Sequence, residues 1–192
     1  LREVHISTAP ESEWTLTLQD HPMIHSDLAC STWGQDEALS VTRALLTSFI
    51  DFHGDRLFHG AIMPSRIGLT RAGKLVVTDW ASGFLAQLAN QGPVTTVTPN
   101  FQALWGLPNY IPPELLNRHV LSPASDVFAI VCCLHRWLSG VDPFRANRTL
   151  DVYQRVRQGV RPSISDLAPR LDIELCRRLD AALAIEPADR PT

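Results

Sequence analysis

The stretch His59-Gly60-Ala61-Ile62-Met63-Pro64-Ser65-Arg66-Ile67-Gly68-Leu69, followed ten residues later by Asp79-Trp80-Ala81, decides how this chain is to be read. Its second half alternates. Ile67 and Leu69 on one side of Arg71-Ala72-Gly73 answer Leu75 and Val77 on the other, the pattern of a two-strand hairpin around a glycine-containing turn. Before it, Val41, Leu45, Phe49 and Phe52 recur at four, four and three behind the acidic first-turn pair Asp36-Glu37, which predicts a helix ending near Gly54. Residues 1–33 read as short extended pieces, with Trp14-Thr15-Leu16-Thr17-Leu18 alternating large and small as a strand does.

Outward in the other direction, residues 82–108 mix Gly, Pro, Thr, Asn and Gln without sustained period and are expected to form a long loop, a length that usually goes with function or mobility. Ser122-Pro123-Ala124-Ser125-Asp126 then opens a helix that is apolar nearly all round from Val127 to Leu138, as a helix through the middle of a core must be, and Ser139-Gly140 stops it. Two more helices are expected at about 149–158 (Leu150, Tyr153, Val156) and about 172–185 (Ile173, Cys176, Leu179, Leu183), separated by Pro162 and Pro169. The sum is mainly α with one small hairpin, and there is no internal repeat or low-complexity segment.

The whole chain has 192 residues and 21.3 kDa, with 45% hydrophobic and 19% charged residues, a composition that suits a soluble globular piece and excludes a disordered or fibrous one. Net charge is −3, which leaves no basic excess to hold a nucleic acid. The longest apolar run, Val127 to Leu134, is eight residues, far short of a membrane span, and with no signal peptide visible a cytoplasmic location is expected. The start on Leu1 rather than Met suggests a segment cut from something longer. The four cysteines, Cys30, Cys132, Cys133 and Cys176, form neither a C-x-x-C pair nor a disulfide framework and are expected as reduced core residues. Of the 17 basic residues only Lys74 is lysine, so a mechanism needing an ammonium must use that one.

The opening stretch resembles the H-R-D-x-K-P-x-N loop, hairpin and D-F-G of protein kinases, with the interval from the lysine position to the D-F-G aspartate matched without a gap. Three further matches follow in order. Pro112-Pro113-Glu114 is similar to A-P-E, Ser125-Asp126-Val127-Phe128-Ala129 to the start of the family's central helix, and Asp189-Arg190-Pro191-Thr192 to its closing D-R-P-[ST]. The resemblance covers about residue 36 to the end. It implies a protein-kinase-like C-terminal lobe over 36–192, with 1–35 as the end of the N-lobe, the hinge and a short linking helix; Trp14–Leu18 would be the strand entering the hinge and Asp20–His25 the hinge. Such a remnant has no room for a Gly-rich phosphate loop, a strand lysine or its paired glutamate.

Carried over one position at a time, the resemblance leaves no catalytic residue intact. Ala61 stands where active kinases have the aspartate that accepts the substrate hydroxyl proton. Met63, a thioether that only packs, replaces the lysine that balances charge on the transferring phosphoryl. Arg66 replaces the asparagine that holds a second magnesium, and its guanidinium has no lone pair to give; a cation about 4 Å from Mg²⁺ is repelled by ~4 kcal/mol per pair of unit charges even at an effective dielectric of 20. Gly68 removes the apolar floor that usually lies under adenine. Asp79 matches the metal-binding aspartate of D-F-G, with Trp80 for the phenylalanine and Ala81 for the glycine hinge. It is the one metal ligand kept, and it competes with a plain strand-end role.

The family's structural positions are present. The resemblance implies that His59 stacks with Trp80, that Asp126 accepts hydrogen bonds from the loop backbone, and that Glu114 and Arg190 form a buried ion pair behind Pro113. Gly60, often arginine in the family, leaves no basic partner for a phosphorylated activation segment. Arg66 pairs with Asp79, closing the site to Mg-ATP, or else grips phosphate. Trp33 and Trp137 read as core, and Trp105 as the one candidate partner anchor. Asn147-Arg148-Thr149 fits the N-glycosylation pattern, which matters only in a secreted protein.

The expectation is therefore a degenerate, pseudokinase-like lobe that acts as a protein-binding, scaffolding or regulatory module through residues 82–111 and the adjoining groove, with no cofactor. A weak or atypical serine/threonine kinase using Mg-ATP is the alternative, and a purely structural support for other domains is a third. The D-V-F-A and D-R-P-T style is similar to bacterial serine/threonine kinases.

Overall fold

A computed structural model describes residues 2–9, 12–18, 23–25, 33–54, 58–70, 75–80, 107–117 and 121–191. The strands among the described residues form two small antiparallel sheets. Strands β1 (Arg2–Ala9) and β2 (Ser12–Leu18) pair from Arg2↔Leu18 to Ala9↔Ser12, so the strand read at Trp14–Leu18 is present. The second sheet has three strands in the order β3 (Met23–His25), β4 (Ile67–Thr70), β5 (Leu75–Val77).

The hairpin half of that sheet has the register its alternation requires, with Ile67 opposite Val77 and Leu69 opposite Leu75. The part of the expected hinge that is described is a strand: β3 adds to the free edge of β4, with Ile24 opposite Leu69 and His25 opposite Gly68. A sequence-distant strand pairing of this kind leaves no local signal.

Helix α1 (Gln35–Gly54) begins with the Glu37 carboxylate accepting from Gly34 N–H at 2.7 Å. Its buried face runs through Ala38, Thr42, Leu45 and Phe49 rather than through Val41 and Phe52. Thr42 can be buried because its hydroxyl donates to Ala38 C=O at 2.8 Å, leaving only methyl surface to pack. Phe52 stays 38% exposed.

After α2 (Pro113–Leu116), helix α3 (Pro123–Ser139) is the axis of the fold. Pro123 occupies a first-turn position where its missing N–H costs nothing, and Gly140 ends the helix at φ 72°, a left-handed cap that suits glycine. Every residue from Phe128 to His135 is buried, as the all-round apolar pattern requires. α1 packs along this helix, Phe144 stacks on Phe128 at 5.9 Å between centroids, and Trp137 meets Trp33 at 5.2 Å. Cys132, Cys133 and Cys176 are buried in the same core, and none of them is in a disulfide among the described residues.

Helix α4 (Thr149–Gln158) has the expected bounds but a different face. Val152 and Val156 are buried and Tyr153 packs on a satellite cluster of Ile111, Leu115 and Leu121, while Leu150 is 64% exposed. A short helix α5 (Ile164–Leu167) fills the interval between Pro162 and Pro169 where no helix is expected, capped by Ser163 and Asp166 in reciprocal hydrogen bonds. α6 (Ile173–Ala181) is shorter than the expected 172–185, with Ile173 exposed. Past Ala182 the bonds tighten to a three-residue step, Leu183 N–H to Asp180 C=O and Ala184 N–H to Ala181 C=O, and the carbonyls of Ala184 and Ile185 beyond them accept from the Arg190 guanidinium.

Among the described residues no helix is long and apolar enough to cross a membrane. Of the predicted loop over 82–108, residues 82–106, with Trp105, lie outside the described residues, as do Cys30, Lys74 and Ala81.

Candidate functional site

The first turn of α3 organises the site. Asp126, 1% exposed, accepts from His59 N–H at 2.8 Å and Gly60 N–H at 2.7 Å, and its Oδ2 also meets His53 Nε2 at 3.0 Å. Two successive backbone N–H groups converge on one carboxylate because Gly60 sits at φ 72°, a left-handed conformation that turns the chain back on itself. A carboxylate in the first turn of a helix is also favoured by the helix dipole.

His59 is a packed side chain with both ring nitrogens in use. Nδ1 accepts from Ala61 N–H at 3.2 Å, so Nε2 carries the proton and donates to Thr78 C=O at 2.8 Å. Burial holds its pKa below the usual histidine range and keeps the ring neutral. The ring lies against Trp80 at 5.0 Å. Trp80 is stacked on Phe49 at 5.4 Å and 16°, touches Phe52 at 4.7 Å, and donates its indole N–H to Val77 C=O at 3.0 Å.

Between these anchors the loop carries Ala61 and Ile62, both buried, and Met63, packed against the main core. A 3₁₀ turn at Pro64–Arg66 then feeds β4. Arg66 is only 4% exposed. Its Nη1 donates to Ala61 C=O at 2.6 Å and its Nε to Asp79 Oδ2 at 3.1 Å, while its own carbonyl accepts from Thr78 N–H at 2.9 Å. Asp79 is 57% exposed and has φ 63°, the one non-glycine residue with positive φ among the described residues.

The metal that the resemblance implies does not fit this arrangement. The carboxylate that would bind a divalent ion already faces a guanidinium at 3.1 Å, and the neighbouring groups supplied by the loop are a methyl and a thioether. Among the described residues no three His, Cys, Asp or Glu side chains converge as metal ligands. Gly68 sits mid-strand between His25 and Val76 and offers no side chain to a base.

Some 76 residues apart in sequence, Glu114 and Arg190 form a two-pronged ion pair with both bonds at 2.8 Å, and both side chains are fully buried. The remaining valences are filled: Ser125 Oγ donates to Glu114 Oε1 at 2.6 Å, and Arg190 donates also to the carbonyls of Ala124, Ala184 and Ile185. Its guanidinium lies 4.8 Å from the Phe128 ring. Pro113 is buried at the start of α2 and sets Glu114 in that helix's first turn.

The structure thus gathers His59, Ala61, Met63, Arg66, Asp79, Trp80 and Asp126 at one end of the three-stranded sheet. Sequence reasoning misses three participants. His53 is the third partner of Asp126, and its signal is its place four residues after Phe49 on α1. Thr78 is bound through its backbone on both sides, and Phe52, expected on the core face, packs on Trp80; neither contact has a sequence signal.

A family model described as the protein kinase domain matches residues 19–192. The chain is 28% identical over 161 residues to the mouse inactive serine/threonine-protein kinase PLK5, covering 84% of this chain and 25% of that protein. It is 29% identical over 164 residues to 3-phosphoinositide-dependent protein kinase 1 of Arabidopsis thaliana, covering 82% and 32%. With the human serine/threonine-protein kinase PAK 4 it shares 25% over 158 residues, covering 82% and 25%. The chain therefore spans about a quarter to a third of the length of these curated relatives.

Proposed function

Because the chain belongs to the protein kinase family, we propose that it is a pseudokinase lobe that works by binding a protein partner and not by transferring phosphate. One observation carries this reading. The Arg66 guanidinium bridges Asp79 and the Ala61 carbonyl at the place where a kinase gathers its metal and its proton acceptor. A positive group there neutralises the one retained carboxylate and repels Mg²⁺, and Ala61 has nothing to accept the proton of a hydroxyl nucleophile.

Losing a general base alone typically costs only 10²–10⁴-fold. Here the base, the lysine at Met63 and the metal-holding amide at Arg66 are replaced together, and each acts on the same transition state. The weak-kinase reading retains one favourable observation, the outward exposure of Asp79.

Two measurements test the proposal. The melting temperature should not move with ATP, with or without magnesium, and neither the wild type nor Ala61→Asp should label a peptide or protein substrate, because Met63 and Arg66 remain. A magnesium-dependent ATP shift together with label transfer by the wild type overturns it. The partner is a protein, engaged through residues 82–111 and the groove beside them. The described end of that segment exposes Leu107 and buries Tyr110 and Ile111, so it is anchored in the lobe at one end.

A further inference from the structure

The disagreement between the site and a bound metal points further, and the inference rests on the pseudokinase reading. We infer that Arg66 is a resident cation that holds the 59–66 loop against the end of β5, a task a divalent ion would otherwise share, so that this face of the lobe stands assembled with neither metal nor nucleotide.

Three segments meet at this one residue. Its guanidinium holds the loop at Ala61 and the turn at Asp79, and its carbonyl holds Thr78. Thr78 is held a second time, from the other side, by the Nε2 proton of His59, whose own backbone is fixed by Asp126. The chain from α3 through the loop to the end of β5 is therefore closed by hydrogen bonds, and Arg66 supplies a side-chain cation to it. Asp79 sits in the left-handed region, which is strained for a non-glycine residue, and the charge-assisted bond from Arg66 helps hold it there.

A covalently attached cation differs from a bound ion in one respect that matters for regulation. A metal or nucleotide comes and goes with its concentration, and a site that needs it has an ordered and a loosened state. Arg66 is present at unit occupancy in every molecule. The face it braces is therefore constitutive, and partner engagement is not gated by nucleotide.

Amide hydrogen exchange on the intact 192-residue chain tests this. In the wild type, protection at Ala61, Thr78 and Trp80 should be the same in EDTA and in millimolar magnesium chloride. Arg66→Asn should speed exchange at Ala61 and Thr78 by about tenfold or more while amides in the middle of α3 keep their protection, as expected for local rather than global opening. Magnesium should slow that exchange again. Exchange within about twofold of wild type in a folded Arg66→Asn protein overturns the brace; accelerated exchange that magnesium leaves untouched overturns the equivalence with a metal. If Arg66→Asn does not fold, Asp79→Asn, which keeps a residue that tolerates positive φ and removes only the exposed carboxylate, should loosen Trp80 and Thr78 more than Ala61, and equal protection at all three sinks the proposal. Label transfer by the wild type would instead defeat the pseudokinase reading itself, whatever the exchange pattern.

Discussion

Two arginine–carboxylate pairs divide this molecule. Arg190 and Glu114 are both sealed from water, joined by two bonds of 2.8 Å, and surrounded by a hydroxyl and three carbonyls that fill the remaining donor and acceptor positions. Arg66 and Asp79 share one bond of 3.1 Å, with the arginine buried and the carboxylate more than half in solvent. The first pair holds the frame together. The second joins the loop after His59 to the end of β5, the place at which we propose that phosphate transfer is lost. The contrast teaches that a guanidinium and a carboxylate serve opposite ends here, and that burial decides which.

The comparison breaks most visibly if Arg190 is removed. Arg190→Ala leaves Glu114 as a buried charge with one hydroxyl for company, and truncating one partner of a buried pair costs about 3–5 kcal/mol. An unfolding free energy from urea titration lowered by less than about a third of that would mean the frame is held elsewhere.

Acid attacks the frame by another route. His135 is buried in α3, and burial together with the nearby Arg161 lowers its pKa to about 4, whereas an unfolded histidine titrates near 6.5. Between those values the unfolded chain binds the extra proton, so stability is full above pH 6.5 and falls as pH drops toward 4, by on the order of 3 kcal/mol from this residue. Asp180 on α6 works weakly against the shift. His59 is lowered in the same direction and adds to the slope. Replacing His135 by leucine should flatten the pH dependence of the melting temperature over that interval; an unchanged curve refutes the assignment.

Asp126→Asn sharpens the boundary between frame and site. One amide oxygen cannot accept from His59, Gly60 and His53 as a carboxylate does, and the loss is expected at about 2 kcal/mol, judged from hydrogen bonds to charged groups. Chemical denaturation measures it, and exchange at Gly60 locates it. The smallest effect is expected from Asp79→Asn, less than about 1 kcal/mol on global stability, because an ion pair with one partner in water contributes little. A large global loss there would erase the distinction between the two pairs.

How legible all this is in the sequence varies from residue to residue. The long helices are legible because their signals are local: Asp36-Glu37 and Gly54 bound α1, Pro123 and Gly140 bound α3, and the hairpin follows from alternation on either side of a turn. Facing is less legible. Leu150 and Ile173 look like core positions by spacing, yet both lie in the first turn of their helices and stay in water while Val152, Val156, Cys176 and Leu179 are covered. The early end of α6 is not legible at all, since Leu183 and Ala184 bond back only three residues, to Asp180 and Ala181, within a run Ala182-Leu183-Ala184-Ile185 that holds no glycine or proline.

In the site, the replaced positions Ala61, Met63, Arg66 and Gly68 can be read from order and spacing, because each is defined by what side chain is there. That Arg66 turns its guanidinium onto Asp79 and Ala61, that Thr78 is gripped from two sides, and that Phe49, Phe52 and His59 enclose Trp80 depend on where the hairpin returns against α1.

The amino-acid sequence by itself determined the family, the long helices, the hairpin register and the side chains that stand at positions 61, 63, 66 and 68. Only the tertiary structure decided that β3 joins the sheet, that Glu114 and Arg190 leave water together, and that the Arg66 guanidinium meets Asp79 and the Ala61 carbonyl. The physical reason is range. Propensity and periodicity act over a few residues, whereas desolvation and charge pairing act between groups that only folding brings within 3 Å of one another.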